Sequence, residues 1–202
     1  MLDKYISLVK PYYNEKHRVF HDWQHIQSGL DMFDKLNSGT TEQKIAWLFH
    51  DIIYIPTQKD NEEKSALFAI DMIKSNQDTK NIDTSLVGII INDTKYHLPT
   101  IKESALVLDI DMSSLACKQY SDFYKLRIMA AKEYSSFGKE AVVSGTVSFI
   151  NKTLRQERIF TTPEFSSMEE IARENLKKYL IEFSESPQFI EIFPQRKQKN
   201  KI

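Results

Sequence analysis

Breakers of regular structure are scarce in this chain. It has five glycines and six prolines in 202 residues, and its apolar residues recur three and four apart almost throughout. That spacing is the period of a helix face, and so few turn residues leave little room for the frequent reversals that strands require. The expectation is an all-α fold of about seven to nine helices, forming one domain over 1–186, with a short basic tail over 187–202. At 41% hydrophobic, the chain is long enough to bury a sizeable core.

The spacing predicts a helix over 15–36, with Trp23, Ile26, Leu30 and Phe33 inside and His17, His21 and His25 in one stripe. A second helix starts where Thr40 and Gln43 can form a capping box, and runs to about 54, ahead of Pro56. A third begins at Asp60, with Glu63 three residues on as its box partner. A fourth spans 84–97 and stops before Pro99. The fifth carries Ile101, Ala105, Leu108, Met112 and Leu115. Two or three more are expected, over about 121–137, 139–154 and 167–183, the last capped by Ser167 with Glu170.

Chemistry concentrates where the second helix ends, at His50-Asp51 behind the apolar run 46–49. An imidazole and a carboxylate side by side are costly to bury unless they face a charge, and a metal ion would serve. Adjacent helical residues point about 100° apart, so both reach one ion only near the helix end, with further ligands from other helices. His25 and one of Asp109 and Asp111 are the candidates. The two aspartates straddle the apolar stripe of the fifth helix symmetrically, so periodicity does not choose between them.

Two imidazoles and two carboxylates suit Mn²⁺, Fe²⁺, Co²⁺, Ni²⁺ or Zn²⁺ better than Ca²⁺, with Mg²⁺ a further option. Four protein ligands leave open positions for water, which can be deprotonated near neutral pH and attack a phosphorus whose oxygens the ion polarises. The single Cys117 excludes an internal disulfide and a cysteine-based zinc cluster.

Other classes are disfavoured. Twenty-seven Lys+Arg against 28 Asp+Glu give a net charge of −1, without the basic footprint that duplex nucleic acid selects. The longest apolar run, 86–91, is far too short to span a bilayer, and the first residues lack the pattern of a signal peptide. A cytoplasmic protein without a membrane partner is expected.

The order His25, then His50-Asp51, then Asp111 resembles the HD superfamily of metal-dependent phosphohydrolases. The runs FHDWQHI at 20–26, AWLFHDIIY at 46–54, DNEEKSA at 60–66, LDID at 108–111, EY at 133–134 and ARENL at 172–176 are similar to a bacterial subfamily of predicted HD phosphohydrolases over nearly the whole chain. The resemblance implies an HD-type helical bundle, and it favours Asp111 as the last ligand, with Asp109 in support. The sequence departs from the usual pattern at Ile110, which replaces an alanine, and in lacking a basic residue after Asp111. The implied ligands are His25, His50, Asp51 and Asp111.

Around that centre Arg18 and His21, expected on the face that carries His25, are candidates for binding phosphate, and so are Lys95 and His97 at the end of the fourth helix. Glu62 is the candidate for orienting water or a ligand histidine, because the capping box already accounts for Glu63. Asp51 and Glu62 are thus the expected catalytic residues. The expected function is hydrolysis of a small phosphoester or nucleotide. The alternative is a metal-containing nucleotide-sensing or interaction protein of the same fold with little turnover.

Overall fold

The computed structural model describes residues 2–76 and 81–193, which form ten α-helices and no strand. The basic residues expected in the tail, 196–201, lie outside the described residues. In order the helices are α1 (Leu2–Val9), α2 (Trp23–Leu36), α3 (Thr41–Phe49), α4 (Asn61–Ser75), α5 (Thr84–Thr94), α6 (Ser104–Met112), α7 (Tyr120–Glu133), α8 (Lys139–Arg155), α9 (Glu169–Glu182) and α10 (Pro187–Ile190). Short 3₁₀ turns lie between several of them.

The bundle is arranged around α3. The second half of this helix is apolar on every side, and Ile45, Ala46, Trp47, Leu48 and Phe49 are at most 1% exposed. A helical turn without a polar face must be covered all round, and α1, α2, α4, α5 and α6 pack against α3. Its start is the expected capping box: Thr40 Oγ1 accepts from the Gln43 backbone N–H, and the Gln43 side chain accepts from that of Thr40. The C-terminal part adds α7, α8 and α9, with Phe123, Phe165, Leu176, Tyr179 and Phe183 buried. The chain continues past 186 in order, with Phe189 of α10 fully buried in the same core.

Several expected boundaries move because a distant group takes a backbone or side-chain bond. The helix expected from 15 begins only at Trp23, because the backbone N–H groups of Val19, Phe20 and His21 all donate to the Glu133 carboxylate. His17, His21 and His25 therefore do not share a helix face. Asp22, the aspartate of the earlier His-Asp pair, is the cap of α2 and accepts from the N–H groups of Gln24 and His25.

The box expected at Asp60 and Glu63 does not form. Asp60 pairs with Lys64, Glu63 pairs with Lys95, and Asn61 instead fastens the preceding loop through both polar groups of Ile55. Ser167 and Glu170 likewise do not cap α9. A 3₁₀ turn over Pro163–Met168 runs straight into it, and Glu169 accepts from the N–H groups of Ile159 and Phe160. Helix α5 ends at Thr94, three residues early, because the Asp93 carboxylate accepts from Thr100 and the chain turns through His97.

Candidate metal centre

His50 follows the last residue of α3 and is 1% exposed. Its Nδ1 donates to the Trp47 carbonyl at 2.8 Å and its ring stacks on the Trp47 indole at a centroid distance of 4.5 Å. A carbonyl only accepts, so the proton of the neutral ring sits on Nδ1 and the Nε2 lone pair faces inward. The indole is itself fixed by donation to the Ile26 carbonyl. No space is left beside it at Gly29, where an added Cβ would lie 2.1 Å from the ring.

Three further groups converge on that lone pair. His25 of α2 brings Nε2 to 3.3 Å from His50 Nε2. Asp51 Oδ2 lies 3.0 Å from His50 Nε2 and 4.0 Å from His25 Nε2. Asp111 of α6 places Oδ1 at 3.3 Å from His25 Nε2 and 3.9 Å from His50 Nε2. The ligand atoms of His25, His50 and Asp111 all fall within 4.8 Å of one another. Ligands held at about 2.1 Å from one ion lie about 3 Å apart at right angles and about 4.2 Å apart across it. The set His25, His50 and Asp111 thus fits a divalent ion in both chemistry and spacing, and Asp51, expected as a fourth ligand, lies beside it against His50 without joining that group.

The two candidate aspartates have different surroundings. Asp109 is 2% exposed and turned away, accepting from the backbone N–H groups of Thr161 and Thr162 and from the Thr162 hydroxyl. Asp111 faces the histidines, and its second oxygen accepts from His97 Nε2 at 2.9 Å. His97 reaches it by adopting a left-handed backbone, φ 51°, a conformation that costs a non-glycine residue about 1 kcal/mol or more.

Charges within the cluster are strongly coupled. Burial works against a charged His50, yet the carboxylates of Asp51 and Asp111 hold its pKa up at about 9. At His25 burial prevails over the Asp111 contact and lowers the pKa. Asp51 and Asp111 are buried too, but neighbouring histidines keep both carboxyls below the usual range.

The centre opens into a cavity of about 520 Å³. His21, Glu62, Lys95 and His97 all line it. His21 is held from behind, with Nδ1 2.6 Å from Glu133 Oε2. Lys95 is tied to Glu63 and to the Lys59 carbonyl. Glu62 is half-buried at the start of α4, and burial, assisted by the charge of Asp51, raises its pKa.

Arg18 does not reach the cavity. Its guanidinium donates to the carbonyls of His21, Asp51 and Ile52 and to Glu15, which leaves it no free edge for phosphate. It is a clamp that fixes the chain just after His50.

A scan of the sequence against family models finds no match, and searches among curated proteins and among solved structures find none either. Sequence reasoning left Glu133 without a role, because its partners are 79 to 114 residues away. It also passed over Tyr54, which donates to Glu133 and to Tyr134, and Arg127, which lines the cavity. Nothing local in the sequence distinguishes these side chains.

Proposed function

We propose that this chain is a metal-dependent phosphohydrolase of the HD type, acting on a small phosphoester or nucleotide. The reading rests on one observation: His25, His50 and Asp111 bring three ligand atoms within 4.8 Å of one another, with Asp51 Oδ2 3.0 Å from His50 Nε2, at a site that opens into a cavity. When bound, a divalent ion there supplies Lewis acidity toward phosphoryl oxygens and lowers the pKa of nearby water.

The chain's own residues do the rest. His97 orients Asp111 through Oδ2, and the Trp47 carbonyl fixes the tautomer of His50, as partners of ligand residues commonly do. Glu62 faces the cavity with a raised pKa, the condition for a carboxylate that takes a proton from attacking water and passes it on. His21 and Lys95 line the cavity as donors for phosphate oxygens. As the phosphorus–oxygen ester bond breaks, the leaving oxygen receives a proton from this same rim of groups.

The test is a screen of phosphoesters and nucleotides with added Mn²⁺, read as release of phosphate or pyrophosphate and paired with elemental analysis. Native protein should carry a divalent metal and turn over at least one compound. His50→Ala and Asp51→Ala should lose both properties. Glu62→Gln should keep its metal and fold while turnover falls at least about 10-fold. Full metal content in His50→Ala would overturn the ligand set, and unchanged turnover in Glu62→Gln would remove that residue from the chemistry.

A further inference from the structure

The cavity has a second polar end, for which hydrolysis at the metal centre gives no role. Arg127 of α7 lines it. Its guanidinium lies against two rings, with Cζ 4.8 Å from the Phe20 centroid and 5.9 Å from that of Phe123. Nη2 donates to Ser114 Oγ at 3.0 Å, while Nε is buried without a partner. No carboxylate among the described residues pairs with this arginine. Burial pulls its pKa below the ordinary value, and only the fields of Tyr179, Cys117 and Asp111 act against that shift.

Tyr179 of α9 is the second observation. It is 1% exposed and lines the same cavity, and its hydroxyl is also buried and unpartnered. Its ring lies 5.7 Å from Phe123, so Arg127 and Tyr179 flank one aromatic side chain. Met112, Leu115, Val142 and Phe149 supply apolar wall around them.

An enclosed guanidinium without a counter-ion is costly, and proteins normally offset it with a carboxylate. Stacking on Phe20 and Phe123 accounts for its faces. Stacking does nothing for the donors along its edge, which match the oxygens of a carboxylate or phosphoryl group. The unpartnered Tyr179 hydroxyl, on a residue of the same cavity wall, adds one more donor. Phe20 joins the two ends of the cavity, its centroid 4.8 Å from Arg127 Cζ and 5.5 Å from the His25 ring.

We propose that Arg127 and Tyr179 form a second anion-binding end of the cavity. The molecule it takes is a small organic phosphate with an apolar body and a second anionic group, held one aromatic ring away from the metal ligands. The identity of the first group rests on the phosphohydrolase reading, whereas the anion site at Arg127 stands apart from it.

Benzoate, a single anion on an apolar ring, tests the site without any metal chemistry. Calorimetric titration into chelator-treated protein should detect binding, weakened at least about 10-fold in Arg127→Gln and less in Arg127→Lys, in line with loss of a charge-assisted bond. Tyr179→Phe removes an unpartnered hydroxyl, so its melting temperature should not fall, while benzoate affinity should drop about 5-fold. That variant keeps the test intact if Arg127→Gln does not fold. On a substrate found in the screen, Arg127→Gln should raise KM with little change in kcat, and its metal content should match native. Equal benzoate affinity in native protein and both variants, or no benzoate binding at all, would overturn the proposal. Benzoate binding that depends on Arg127 in a protein without metal or turnover would support the anion site and tell against the phosphohydrolase reading alone.

Discussion

Replacing Glu133 by glutamine should destabilise the protein by up to roughly 3 kcal/mol at pH 7, and the loss should disappear in acid. One oxygen of this carboxylate accepts from three backbone N–H groups, those of Val19, Phe20 and His21, at 2.7 to 3.0 Å. The other accepts from Tyr54 and lies against His21 Nδ1. Glutamine keeps the shape and one acceptor oxygen, so the backbone N–H groups stay paired and the charge is what is lost. Burial alone would raise the carboxyl pKa, but His21 and the backbone donors bring it from 4.5 down to about 2. At about 1.4 kcal/mol per pH unit this amounts to roughly 3 kcal/mol favouring the charged form.

The folded pKa is depressed, so the contribution is fully present above pH 4.5 and fades as pH falls from there toward 2. Urea unfolding of chelated native and variant protein at pH 7, 5, 4 and 3 measures the gap directly. At pH 7 it should correspond to about 6–12 °C in melting temperature for a chain of this size. At pH 3 it should be clearly smaller. A variant within about 0.5 kcal/mol of native at pH 7, or a gap as large at pH 3 as at pH 7, would refute the reasoning. Alanine at the same position should cost more, because it orphans three backbone donors at about 1–3 kcal/mol each.

Gly29→Ala should destabilise by about 1–3 kcal/mol or more and weaken metal retention, because its Cβ would displace the indole on which His50 stacks; a variant with native melting and full metal would contradict this. Asp109→Asn should lower stability by about 1–3 kcal/mol yet keep the metal, whereas Asp111→Asn should lose the metal, as elemental analysis and melting curves will resolve. Metal affinity should fall about tenfold per pH unit below about 9, where a proton on His50 begins to compete with the ion. Chelator competition between pH 9 and 7 measures this, and a flat profile would mean that His50 is not a ligand.

What the sequence determined by itself was what depends on neighbours three and four residues away. Apolar spacing with few breakers led to an all-helical chain, and the Thr40–Gln43 box marked the start of α3. Tertiary structure decided whatever depends on where a polar group finds its partner. Asp109 and Asp111 are symmetric about one helical stripe, and only the loop at Thr161–Thr162 draws one of them away from the histidines. The segment from 15 to 22 has a helical pattern, yet Glu133, more than a hundred residues on, takes three of its N–H groups. Glu63 has the spacing of a capping residue and pairs instead with Lys95. Arg18 carries the charge of a phosphate ligand but spends its donors on carbonyls, while Arg127, unmarked in the sequence, lines the cavity and keeps one buried donor without a partner. Buried polar groups must be satisfied by whatever the fold brings near them, and that requirement has no period in the sequence.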